Sequence, residues 1–195
     1  MRGWGWGVVL ISLVALTGFL ARPEEAGGGD PRFTPQNELI RPEGFREWIF
    51  VGASLGMSYT EEAARPANQL FHNVYLHPRA YQEYRKSGRF PERTILAMEV
   101  LTPGSQTSIN RQGQFEDRFV GVEAAVKDSS RFPEGWAYFD FTGRGQAPPP
   151  GTPTAKAFPK QACWACHSQH AQTDNVFTQF YPLLRRSASS ASSGK

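Results

Sequence analysis

The chain has 195 residues, with 21 Lys and Arg against 18 Asp and Glu, a formal net charge of +3. So small an excess, with no basic stripe or cluster, excludes the electrostatic footprint of a nucleic-acid binder. The length allows one domain with a real core, and two cysteines in a single CxxC are no disulfide framework.

The chain opens on an address. Arg2 precedes an apolar run from Val8 to Ala21, followed by polar Arg22-Pro23-Glu24-Glu25. Residues 1–26 are expected to be a secretory signal, with Ala21 or Ala26 closing the cleavage site. The rival expectation is an uncleaved anchor in the inner membrane, because residues 4–21 approach the length of a spanning helix. Either way the folded part is expected in the periplasm. Residues 27–37, with Gly27-Gly28-Gly29, read as a linker, 38–186 as the domain, and the Ser/Ala/Gly-rich 187–195 as a disordered tail.

Within the domain, Trp48–Val51 and Leu70–Leu76 are apolar runs expected as strands. Pro78 opens a helix through Tyr81, Tyr84 and Lys86 that Gly88 closes, the asymmetry of proline inside the start and glycine past the end. Thr94–Leu101 reads as a strand with Leu96, Met98 and Val100 on one face. Phe119–Lys127 alternates Val120, Val122, Ala124 and Val126 against Glu123 and Lys127. Gly135–Phe141 is a further strand, and 143–153 a Gly/Pro-rich loop. From about Lys160 to Leu184 the chain reads as helical. The expected fold is α+β, dominated by an antiparallel sheet, with a C-terminal helical segment that carries the cysteines.

Cys163-Trp164-Ala165-Cys166-His167 is CxxCH, the attachment motif of c-type haem. Two cysteines one helical turn apart face the same way, so both sulfurs can reach the vinyl groups on one porphyrin edge. His167 then offers its imidazole to the iron as proximal ligand. One covalent haem c is therefore expected. Two rivals exist. A redox CxxC belongs at a helix start in a βαβ setting, which this chain lacks. Zinc gains from His170, which completes C-x2-C-H-x2-H, but structural zinc sites draw ligands from two separated knuckles.

Around this motif the chain resembles the cytochrome P-460 family, which includes the β-type cytochromes c′. The matching elements are the C-terminal CxxCH, the sheet-rich body, and the runs Phe71-His72-Asn73-Val74-Tyr75, Gly88-Arg89-Phe90-Pro91-Glu92-Arg93-Thr94, Gly135-Trp136-Ala137-Tyr138-Phe139 and Thr173 to Tyr181. The likeness spans roughly residues 38 to 185. It implies a haem against an antiparallel sheet, a five-coordinate iron with an open distal face, and a homodimer. It also implies a fork. Relatives that oxidise hydroxylamine carry a lysine bonded to the macrocycle, whereas the c′ branch lacks it and binds nitric oxide beside crowding phenylalanines. The strand Thr94 to Val100, a place for such a lysine, contains none. Lys127 reads as solvated on a polar strand face, and Lys86 as closing a helix.

The distal side stays open. Phe71 and Phe50 are candidate wall residues, with ordinary core as the alternative. Met98 is a candidate sixth ligand, with gap-filling core as the alternative. His72 and His77 read as surface residues, and His170, one turn from His167, belongs to the proximal side. Glu99, Glu123 and Asp140 are possible proton-transfer groups. Three functions follow: a haem protein whose open iron takes a small diatomic or nitrogen-oxide ligand, a hydroxylamine-oxidising enzyme with a lysine–haem bond, or a six-coordinate electron carrier serving an unidentified redox partner.

Overall fold

The computed structural model describes Met1 and residues 29–58, 61, 69–106, 109, 111–143 and 152–185. The rest of the signal or anchor segment, the tail 187–195 and most of the 143–153 loop lie outside the described residues. Among the described residues no helix is long and apolar enough to cross a membrane.

The fold is α+β, as expected. Its body is a five-stranded antiparallel sheet in the order β2 (Ile49–Leu55), β3 (Phe71–Leu76), β4 (Ile95–Gly104), β5 (Phe115–Lys127) and β6 (Trp136–Asp140), so sheet neighbours are also chain neighbours. A second, two-stranded sheet pairs β1 (Leu39–Ile40) with β7 (Thr154–Ala155). Strands this short carry no readable alternation, which is why sequence patterning passes over them.

Side chains alternate across the sheet and bury both of its faces. On one face Ile95, Ala97, Val122, Ala124, Val126 and Phe139 pack under Leu39, Phe45, Trp48 and Phe132. On the other, Val74, Leu76, Leu96, Trp136 and Tyr138 pack under Ala80, Tyr84, Phe90, Val176 and Leu184. The alternation along β5 separates the two sets correctly. The set holding Glu123 and Lys127 nonetheless faces a second covered layer rather than solvent. Met98 pairs with Glu123, and Leu96 with Ala125, on that same face.

The helix α1 (Pro78–Ser87) lies in this second layer. Proline fills its first turn, and His77 caps it by accepting from the Arg79 backbone N–H at 3.3 Å. His77 is buried, with its ring edge-on to Trp48 at 5.3 Å, so it is no surface residue. Gly88 ends the helix at φ 73° and donates to the Tyr84 carbonyl at 2.7 Å, a left-handed stop that suits glycine. Ala80 and Tyr84, four residues apart, form the buried stripe, and Tyr84 stacks on Phe90 at 4.4 Å.

Two expectations need correcting. Of the expected linker 27–37, the described residues 29–37 are held to the body: Asp30 bonds Arg79 and Arg93, and the Phe33 ring packs at a tilt against Phe132 and Phe139. The segment from Lys160 to Leu184 is helical only over α2 (Trp164–His170) and a 3₁₀ turn at Thr178–Phe180. Asp174 and Asn175 stand at φ 46° and 59°, which no helix accommodates. The segment is instead held at its ends. Phe158 N–H bonds the Tyr138 carbonyl on β6, and Tyr84 Oη donates to the Leu184 carbonyl at 2.9 Å.

Candidate haem site

Cys163 sits at the start of α2 and Cys166 one turn further on. Trp164, between them, turns outward to donate to the Glu134 carbonyl at 3.2 Å, beneath the Lys160 ammonium at 4.4 Å from its ring centroid. That anchor leaves both cysteines and His167 facing a cavity of about 380 Å³. The sheet supplies one wall through Val74, Leu96, Met98, Glu123, Ala125 and Tyr138. The α2 segment and the chain after it supply the other through Cys163, Cys166, His167, Val176 and Phe177. Both thiols are free and half-buried.

His167 is held on three sides. Its ring lies 4.2 Å from that of Tyr138 and 4.5 Å from that of Phe177, centroid to centroid. Its Nδ1 is 2.9 Å from the Asn175 carbonyl oxygen. A carbonyl only accepts, so the proton sits on Nδ1 and the lone pair on Nε2. Burial lowers the imidazole pKa, and the bond to Asn175 partly offsets this, which keeps the ring in its neutral, ligating form. A half-buried imidazole with one nitrogen fixed by a carbonyl and the other available is the arrangement a metal-ligating histidine requires.

Burial pushes the Cys163 thiol up to about 11, and the carboxylates of Glu123 and Asp140 and the Cys166 thiol add to the rise. A reactive redox dithiol has a depressed pKa, so this environment speaks against that alternative. Among the described residues no group of three or more His, Cys, Asp and Glu side chains is placed to hold a metal ion. His170, completing the zinc-like string, is exposed at the end of α2. Two thiols one turn apart, a neutral imidazole with a free Nε2 and a largely apolar cavity fit a covalently attached haem.

The other anticipated residues divide. Met98 lines the cavity. Phe71 does not: it lies three positions from Val74 on β3, so strand alternation turns it to the opposite face. Phe50 is likewise elsewhere, edge-on to Tyr75 at 5.7 Å and substantially exposed. Glu123 lines the cavity, whereas Glu99 is buried beyond the sheet in an ion pair with Arg46. Asp140 accepts from the Thr142 N–H at 2.6 Å. His72 is half-buried on β3.

No described lysine lines the cavity. Lys86 pairs with Glu83 and Lys160 with Glu134. Lys127 is not solvated: its Nζ lies 2.6 Å from Asp174 Oδ2 and 2.9 Å from the Phe90 carbonyl, with the side chain 17% exposed. The sequence alone singles out neither Asn175 nor Tyr138 as a site residue. The Asp-Asn dipeptide was the available signal, because these two residues tolerate left-handed backbone best after glycine.

The family described as Cytochrome P460 matches residues 42–178 of the chain, taking in the whole five-stranded sheet and the whole CxxCH motif. No curated protein matches the chain. With a match over that span, on a sheet-built cavity lined by the cysteine pair and a ligation-ready histidine, the chain belongs to the cytochrome P-460 family of haem proteins.

Proposed function

We propose that this is an exported mono-haem c-type cytochrome whose iron is bound by His167 and left open on its distal face to a small nitrogen or oxygen ligand of the nitric oxide type. The observation that carries the reading is the composition of the cavity that the motif faces: both CxxCH thiols and the His167 imidazole on one wall, no described lysine, and no histidine besides His167. Haem in this setting supplies a Lewis-acidic, redox-active iron. The chain's own groups do the rest. Cys163 and Cys166 would fix the porphyrin edge, and Asn175 holds His167 in one tautomer. Val74, Leu96 and Val176 exclude water, and Glu123 supplies a carboxylate able to exchange a proton with a bound ligand.

Two other readings make distinct demands. A lysine–haem cross-link needs an amine in the cavity, and Lys127, which lies on the same sheet face, is committed to Asp174 and Phe90. A six-coordinate electron carrier needs Met98, which lines the cavity and has a thioether to offer.

The ferrous spectrum and Met98→Ala decide among them. With an open site, the wild-type protein is high-spin and binds nitric oxide or carbon monoxide readily at neutral pH. Met98→Ala then keeps that spin state and costs about 2 kcal/mol of stability, the low end for a methionine that is only half-buried. A low-spin wild type turned high-spin by Met98→Ala overturns the open site in favour of electron transfer. A strongly red-shifted Soret band reveals a cross-linked macrocycle.

Export and assembly belong to the same proposal. A reporter fused after Lys195 is expected to mature in the periplasm, and cytoplasmic reporter activity with haem attached would contradict it. The exposed rings of Phe50, Phe115 and Phe119 offer apolar surface for the expected homodimer, which sedimentation at equilibrium tests.

A further inference from the structure

The turn that holds His167 is itself held by charge. Val176 N–H bonds the Thr173 carbonyl at 2.8 Å, and both central residues, Asp174 and Asn175, have positive φ. This is type I′ geometry, unfavourable for most residues and in need of support. The support comes from two strands at once. Asp174 Oδ2 accepts from Lys127 on β5 at 2.6 Å, and Oδ1 accepts from Trp136 Nε1 on β6 at 3.1 Å. Lys127 also donates to the Phe90 carbonyl at 2.9 Å, which fixes its ammonium from behind. The two ends of the ion pair are 17% and 30% exposed, so solvent screens it only in part.

The next residue carries the consequence. The Asn175 carbonyl receives two donors, His167 Nδ1–H at 2.9 Å and Tyr138 Oη at 3.1 Å. Two donors on one oxygen draw on the same electron density, so each tempers the other. The stronger the bond to Nδ1–H, the more imidazolate-like the ring and the better it donates through Nε2, which favours ferric over ferrous iron.

We propose that Lys127 and Asp174 are positioning residues for His167: their ion pair, with Trp136, pins the Asp174-Asn175 turn so that the Asn175 carbonyl sets the donor strength of the proximal histidine, while Tyr138 moderates it. The inference rests on the reading of His167 as iron ligand and adds to it the means by which the protein sets the haem potential.

The test uses holoprotein made with cytochrome c maturation machinery and two readouts: the reduction potential, and the solvent exchange of the paramagnetically shifted His167 Nδ1–H proton in the ferric protein by NMR. Asp174→Asn keeps the turn preference and the acceptor for Trp136 but loses the charge. Lys127→Met loses the opposite charge. Both loosen the turn, so both are expected to raise the potential and speed the exchange of the Nδ1–H proton. Tyr138→Phe keeps the ring against His167 and frees the carbonyl, so it is expected to lower the potential and slow that exchange. Lys127→Arg, which keeps the pair, stays close to wild type in both readouts.

A purely electrostatic influence gives a different pattern: Asp174→Asn raises the potential and Lys127→Met lowers it, with proton exchange unchanged. That pattern overturns the proposal, as do wild-type values in Asp174→Asn and Lys127→Met alike. A wild-type spectrum with no shifted imidazole signal would instead show that His167 is not the ligand, and both the reading and the inference fall.

Discussion

Changing both Cys163 and Cys166 to alanine is expected to abolish covalent haem altogether. The wild-type chain, made with cytochrome c maturation machinery, should gain the mass of one haem and keep it through acidic organic extraction. The double variant should show neither, and any haem it holds through His167 should extract cleanly. The thiols sit one helical turn apart on the same wall of the cavity, so each single variant leaves one thioether and a lower yield. Burial raises the pKa of the Cys163 thiol to about 11, so in the folded protein it is a poor redox thiolate. Mass spectrometry of the intact and extracted protein reads the result directly. Wild-type haem that extracts without residue would overturn covalent attachment.

Gly121→Ala should be the most damaging single-methyl change in the sheet. A Cβ at this position would stand 2.5 Å from the Thr142 Cα and 3.0 Å from the Phe141 carbonyl oxygen. Both contacts are backbone, which cannot turn aside as a flexible side chain can. Phe141 N–H bonds the Val122 carbonyl at 2.8 Å, so retreat of the 141–142 segment breaks the link that continues β6 beyond Asp140. Overpacking ordinarily costs about 1–3 kcal/mol, and a clash of backbone on both counts belongs at or above the upper end. A loss of about 3 kcal/mol lowers the melting temperature by on the order of 10 °C in a domain of this size. The control is Gly113→Ala. Gly113, unlike Gly121, has a positive φ, but a Cβ there meets nothing within 4 Å, so it carries only local backbone strain. Equal melting temperatures for Gly121→Ala and wild type would refute the close approach.

Much of this architecture is legible in the residues. Pro78 and Gly88 bracket α1 to within a residue, and the runs at Leu70–Leu76, Thr94–Leu101 and Phe119–Lys127 each become a strand of the sheet. These signals are local, and local physics sets them. What stays hidden depends on contacts between distant parts of the chain. Glu123 and Lys127 look like a solvent face because alternation reports two faces, not what covers each. Lys127 becomes a structural cation only once Asp174, 47 residues on, is folded against it. Phe71 looks like a pocket wall because the family resemblance implies distal phenylalanines, yet strand parity alone assigns it to the other face. The CxxCH motif is legible because covalent chemistry needs its spacing, whereas the carbonyl that orients His167 belongs to Asn175, whose one trace in the sequence is the tolerance of Asp-Asn for left-handed backbone.

The sequential order of the sheet has a consequence for how the chain folds. Each pairing from β2 to β6 joins strands adjacent along the chain, so each closes a modest loop and can zip onto the last without waiting for distant partners. Two closures differ: β1 and β7 pair across more than 100 residues, and the Tyr84–Leu184 bond, which spans 100 residues, seals the segment after α2 beneath α1. Cys163 follows the last strand of the five-stranded sheet. In a chain that emerges N-terminus first, the wall bearing Met98, Glu123 and Tyr138 can therefore assemble before the thiols arrive, and under the proposed covalent attachment the closure at Leu184 would set the time window in which Cys163 and Cys166 remain within reach of an external catalyst.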